Sequence, residues 1–418
     1  MRPTQLVGLF LVLAGSPSAH PVAGQTLPTS EDCRDCHLAL DEEALSAPAR
    51  DYERDVHAEA GFGCLACHGS GGTEALDPSA GFLSAPARRE IPELCGRCHS
   101  DAAFMRQFDP GMRVDQVTEY WTSVHGQRLR QANDSAVATC IDCHPAHSIR
   151  PPDDPASTVY AANIVETCGR CHRDAVRMAG RNIRTDQVAE YSASVHGRLL
   201  LEDGDLSAPV CNDCHGNHGA APPGIASVRN VCGQCHSVMA EYFDQSAHGE
   251  IFNDNDLPGC ATCHEHHAVQ VASDETLRAR SADVCVTCHV APDTLGLEFE
   301  RMAAVLDSLE RSEDASRAVL EEAENRGMEV SQALFELEDV NNVQTRAHSA
   351  IHSFHVGPVR AEVAAGLEIT SRASVRGQEA LGEHRFRRVG LGLSSAIIVL
   401  LIAGLLLKIR LLEKAEET

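Results

Sequence analysis

The chain runs to 418 residues with a formal charge of −25, 18 cysteines and 22 histidines. One Trp, five Tyr and eleven Phe are few aromatics for that length, so any compact core must be filled by something other than aromatic side chains. The acidity excludes nucleic acid as a partner, because a phosphate backbone requires clustered Lys and Arg. Residues 1–24 carry Arg2, an apolar run from Leu6 to Ala14, and small residues at Ala19 and Gly24, the pattern of a secretory signal peptide. Its apolar run is too short to span a bilayer comfortably, so export across a bacterial inner membrane is expected.

All 18 cysteines lie between Cys33 and Cys288, and all fall into Cys-x-x-Cys-His. The first three copies are Cys33, Cys36 and His37, then Cys64, Cys67 and His68, then Cys95, Cys98 and His99. The next three are Cys140, Cys143 and His144, then Cys168, Cys171 and His172, then Cys211, Cys214 and His215. The last three are Cys232, Cys235 and His236, then Cys260, Cys263 and His264, then Cys285, Cys288 and His289. This is the attachment signal for c-type haem: two thiols add to the porphyrin vinyl groups and the adjacent His becomes the proximal iron ligand. Zinc sites and disulfides also use paired cysteines, but neither explains a His after every second one. Nine covalently attached haems c are expected.

The chain repeats at an offset of 71 residues: VDQVTEYWTSVHG, with His125, matches TDQVAEYSASVHG, with His196, and CIDCHPAH matches CNDCHGNH. One unit reads as CxxCH, a helix ending in His-Gly, then CxxCHxxH. A third copy runs from Cys232 through His248 to His267, a degenerate first copy has His57 after Cys33, and Cys285 opens a half unit. An electron-carrying haem takes imidazole as its natural sixth ligand. The candidates are His57, His125, His196 and His248 from the inter-motif helices, and His147, His218 and His267 from the CxxCHxxH positions, with His266 a bystander. This leaves the motif at Cys64 and Cys67 and that at Cys285 and Cys288 without a partner. His348, His352 and His355 in RAHSAIHSFH are further candidates; a heptad through Val330, Leu334, Leu337, Asn341, Gln344, His348, Ile351 and His355 favours His348 and His355 over His352.

LDPSAGFLSAPARREIP and RPPDDPASTVYA are linkers by composition. Residues 25–293 are read as one haem domain, with so little chain per macrocycle that the haems pack on one another and form the core. Residues 294–388 become charged, Gly-poor and helical, with breaks at Asn325-Arg326-Gly327 and Gly357-Pro358, and form a stalk of two or three helices that folds back or drives oligomerisation. Residues 389–407, VGLGLSSAIIVLLIAGLLL, contain no charge and are long enough for one transmembrane helix. Basic residues flank it almost equally, so the export signal orients it and residues 408–418 become a cytoplasmic tail. The expected fold is mainly α, with little regular secondary structure around a haem core.

From Cys33 to His289 the sequence resembles the multihaem c-type cytochromes built from doubled CxxCH units, with cytochrome c3-like or NapC/NrfH-like haem packing. The NapC/NrfH-like quinol dehydrogenases carry their anchor at the N-terminus, so their quinol site does not transfer to this chain.

Crowded haems imply electron exchange between metal centres, tuned by axial ligands, exposure and nearby charge. The function expected is a non-catalytic, membrane-anchored electron conduit on the periplasmic side of the inner membrane. It would pass electrons between the quinol pool or an integral membrane redox subunit and a periplasmic or outer-membrane partner. The competing function is a multihaem reductase or oxidase of nitrite, hydroxylamine or tetrathionate. The resemblance to ammonia-forming nitrite reductases and octahaem tetrathionate reductases would call for Cys-x-x-Cys-Lys, which is absent. Were one haem catalytic, the choice from sequence is that on Cys64, Cys67 and His68.

Overall fold

The computed structural model describes residues 30–69, 85–224, 228–271, 273, 277, 285, 288–289 and 294–416. The signal peptide at 1–24 and part of the first linker lie outside the described residues. The chain divides into two compact units, Met1–Asn163 and Ile164–Thr418, so the division falls inside the haem region and the stalk belongs with its second half. The fold is mainly α, and no strand occurs among the described residues.

In the first unit the helices are short, such as Ser30–Leu38, Ile91–His99 and Val124–Gln131. Its buried apolar cluster, among the described residues, is Tyr120, Leu129 and Val137 with Trp121 against it. Ile91 and Met105 are also buried there.

The second unit carries the main apolar cluster in a three-helix bundle. Helix Thr294–Asn325 ends at Gly327, whose φ of +77° suits glycine. Helices Ser331–Leu337 and Asp339–Ala350 return along it, and Val356–Glu416 then runs parallel to the first. Register is set by the Ser312 and Thr370 hydroxyls at 2.7 Å, and by Gln344 donating to Glu313 at 2.9 Å. Gly366 and Gly377 let the first and third helices close: a Cβ at either would press into Leu309 or Val319.

The buried seam of the returning helices is Val330, Ala333, Leu337, Val340, Val343, Ala347 and Ala350. The heptad read from the sequence is therefore corrected beyond Leu337: Asn341 and His355 are exposed, while small apolar residues one or more positions away take the interior. Val356–Glu413 contains the one stretch, among the described residues, long and apolar enough to cross a membrane, and Val389–Leu407 is exposed throughout.

Candidate functional site

Each inter-motif histidine is held by a built elbow. The chain breaks between helices Gln187–Ala193 and Val195–Leu201 at Ser194, whose Oγ donates to the Tyr191 carbonyl at 2.6 Å and accepts from Gly197 N at 3.0 Å. Ser123 does the same for Tyr120 and Gly126, and Ser246 for Phe243 and Gly249. His125, His196 and His248 therefore open the second helix of each elbow and do not end the first, correcting the sequence expectation. The glycine after each His is obligatory because a Cβ there would collide with the carbonyl that the serine caps. Tyr120 and Tyr191 donate from their hydroxyls to Ala138 and Pro209 carbonyls, at 2.9 and 2.8 Å, fastening the elbow to the segment entering the next CxxCH.

The degenerate first elbow uses Asp55, only 1% exposed. Its carboxylate accepts from His57 N and His57 Nδ1, both at 2.8 Å, and from Ile149 N at 2.7 Å. Burial pushes the Asp55 carboxyl up, but the hydrogen bonds from His57 and Ile149 outweigh it and hold the group below its ordinary value. Val56 N donates to Ile149 O at 2.9 Å and Val195 N to Val269 O at 2.8 Å, so these elbows are tied directly to the chain following CxxCHxxH.

Six motif imidazoles, two in the first unit and four in the second, meet second imidazoles. In the first, His99 faces His57 at 5.9 Å between ring centroids, and His68 faces His147 at 6.0 Å with planes 6° apart. In the second, His236 faces His196 at 6.3 Å, His215 faces His267 at 5.9 Å, His289 faces His248 at 5.9 Å and His264 faces His352 at 6.0 Å. Two imidazoles sharing one iron, with iron–nitrogen bonds of about 2 Å, place their centroids about 6 Å apart. These six pairs match that spacing.

The chemistry of the donors also fits. Burial, then the facing ring, lowers the pKa of His147, His196, His248 and His264, and burial lowers that of His352. His267 is pushed down to about 4 by burial, His266 and His215. All six are therefore held neutral, the ligating form. The Nδ1 atoms of His248 and His267 are buried without a hydrogen-bond partner, whereas Nδ1 of His57, His215 and His352 reaches Asp55, Ala221 O and Ser349 O and leaves Nε2 for a metal. The cysteines are free of disulfides, and no group of three or more metal-binding side chains converges among the described residues, as a zinc site would require.

The first thiols of neighbouring motifs touch: Cys95 with Cys140, Cys168 with Cys211, and Cys232 with Cys260 are hydrogen-bonded.

The second thiols are more exposed. Cys36, Cys98 and Cys235 are exposed, and Cys143 and Cys171 are only half-buried. Cys171 Sγ accepts from Arg177 Nη1 at 3.4 Å.

The motif imidazoles are not all alike either. His68, His215 and His264 end their short motif helices, whereas His144 lies just outside helix Cys140–Cys143, at φ −114° and ψ 89°. Pro145 follows it, and a proline drives the preceding residue out of the helical region. The half-buried His144 shares the motif, but its backbone geometry departs from that of those three.

The two motifs that the sequence leaves without a partner, at Cys64 with Cys67 and at Cys285 with Cys288, have His147 and His248 facing them. His125 occupies the same elbow position as His196, and His218 follows its motif as His147 and His267 do. Of the three C-terminal histidines, His352, the one the heptad disfavours, has its ring facing the motif imidazole of His264. His348 Nδ1 is bonded to Gln344 O at 2.8 Å, and His355 is exposed with Nδ1 accepting from Gly357 N. The missed signal was position: His352 lies in the turn Ile351–Ser353 between two helices, where a side chain leaves the bundle.

A family model described as the doubled CXXCH motif matches residues 251–294. It supports a multihaem c-type cytochrome with covalently bound haem c, a class concerned with electron transfer. Neither curated proteins nor solved structures yield a match.

Proposed function

We propose that all nine CxxCH motifs carry haem c and that the chain is a membrane-anchored periplasmic conduit, exchanging electrons with the quinol pool or a membrane redox subunit on one side and a periplasmic or outer-membrane partner on the other. The observation that carries this reading is the set of six imidazole pairs about one iron's width apart, joined by touching thiols of successive motifs. When bound, the haems supply reversible one-electron chemistry at iron. The chain's part is to fix both axial imidazoles, keep them neutral, and hold neighbouring macrocycles in contact so that little reorganises on electron transfer.

The charge of −25 and the Asp55–His57 bond favour oxidised iron and hence low potentials. Residues 389–407 supply the anchor in the inner membrane. The test is intact mass and magnetic spectra of detergent-solubilised protein from membranes. Nine haem additions and predominantly low-spin iron are expected; mainly high-spin iron, or far fewer additions, overturns the reading.

Asp55→Asn removes the negative charge behind His57 and turns an amide N–H toward existing donors. It should raise the midpoint potential of the haem on Cys95 and Cys98 by on the order of tens of mV. It should also cost about 1–3 kcal/mol of stability. Redox titration followed by electron paramagnetic resonance, with thermal melts, checks both.

A further inference from the structure

Resting on the reading that the motif of Cys140, Cys143 and His144 carries haem c, we propose that Arg88 raises the reduction potential of this haem, as a positioning residue that cancels a carboxylate charge inside its attachment loop. Asp142 stands between Cys140 and Cys143, so its charge lies within the loop that two thioether bonds would close on one porphyrin. A negative charge there favours ferric iron, which carries one more positive charge than ferrous. The carboxylate is fixed in place: it accepts from Thr139 N at 2.7 Å and from Thr139 Oγ1 at 3.1 Å, capping helix Cys140–Cys143. Half-buried Arg88 donates from Nη2 both to Asp142 and to Val137 O, the latter at 2.9 Å. One guanidinium thus neutralises the carboxylate and braces the chain entering the motif.

The second unit carries the same carboxylate without the arginine. Asp213 stands between Cys211 and Cys214 and accepts from Val210 N at 2.7 Å, as Asp142 does from Thr139 N. Counting back seven residues from the first cysteine of the preceding motif gives Arg88 before Cys95 but Ala161 before Cys168, although Ile91 and Ile164, and Glu93 and Glu166, correspond. Alanine has no charge to offer Asp213. Of two sites with the same carboxylate, the one in the first unit is by this charge the better electron acceptor. The overall charge of −25 cannot supply that bias, because it acts on every haem with one sign.

The experiment is a redox titration of the full-length holoprotein in detergent, followed by electron paramagnetic resonance. The signal of this haem is assigned by its loss in Cys140→Ala combined with Cys143→Ala. At a fixed ambient potential, Arg88→Met should lower the ferrous-to-ferric ratio of that haem about two- to fivefold, the range a half-exposed charge supports. Adding Asp142→Asn to Arg88→Met should bring the ratio back to the wild-type value. Arg88→Lys, which keeps the charge but loses the planar fork, should also stay close to wild type. Arg89→Met, at the exposed neighbouring position, should change nothing.

An unchanged ratio in Arg88→Met overturns the proposal. So does a shift that Arg89→Met reproduces, which would make it an effect of overall surface charge. A shift that Asp142→Asn fails to reverse, or that Arg88→Lys shares, also overturns it and reduces Arg88 to a brace for the chain at Val137. Failure of the underlying reading is distinguishable: the double cysteine variant would then lose no haem from the intact mass.

Discussion

Gly197→Ala should lower the stability of the second unit by about 2–4 kcal/mol, the opposite of its effect at an ordinary helical position. In an exposed helix interior the same change gains roughly 0.5–1 kcal/mol, because alanine loses less backbone freedom on folding. Here the added Cβ falls on the Tyr191 carbonyl oxygen, which the Ser194 hydroxyl already engages. Relief requires the two helices of the elbow to separate, breaking the 3.0 Å cap to Gly197 N and displacing His196 from His236. The change should therefore convert the haem on Cys232 and Cys235 to high spin as well as lower the melting temperature. Ser194→Ala, which loses the cap but adds no bulk, should cost only about 1 kcal/mol and keep that haem low-spin. A stable, low-spin Gly197→Ala protein would show that the glycine is not a steric requirement.

The elbows also mark how far the sequence could be read. The 71-residue offset, the helical segments, the bundle and the apolar C-terminal stretch follow from periodicity and composition, because those patterns are local. The assignment of an imidazole to its facing motif is not local. His57, His196 and His248 each follow one CxxCH, yet each skips the next and faces the one beyond: His99, His236 and His289.

His147 and His267 face backwards, past the intervening motif, to His68 and His215. A CxxCHxxH histidine lies only three residues from its own motif's imidazole, on the same side of that porphyrin, and cannot reach round to the other face. The facing imidazoles thus cross from one motif to another, and that crossing is decided by how the thiol pairs stack rather than by spacing along the chain. The heptad error has a related cause. Alanines at 333, 347 and 350 are seam residues because the third helix approaches closely over Gly366, and alanine gives a weak hydrophobic signal.

His352→Ala should convert one haem, that on Cys260 and Cys263, from low to high spin and open it to carbon monoxide, while His355→Ala, at an exposed position, leaves all spectra unchanged. The turn Ile351–Ser353 closes the end of the bundle away from the apolar span and carries His352 toward His264, with Nδ1 held by Ser349 O at 3.1 Å. Two residues on, Phe354 adopts a left-handed φ of 54°, a conformation that costs a bulky residue on the order of 1–3 kcal/mol and persists only when surroundings impose it. Its ring lies 4.0 Å from that of His248 and contacts Phe243 and Phe299. One turn thus supplies a facing imidazole for one motif and packs against the imidazole facing another. Loss of low-spin signal in His355→Ala, with His352→Ala silent, would restore the heptad assignment and detach the bundle from the haem sites. With His352 as ligand, the helix that continues into the apolar span is joined to an iron through the turn that precedes it, so a displacement of the span can be transmitted along a continuous helix to a redox centre.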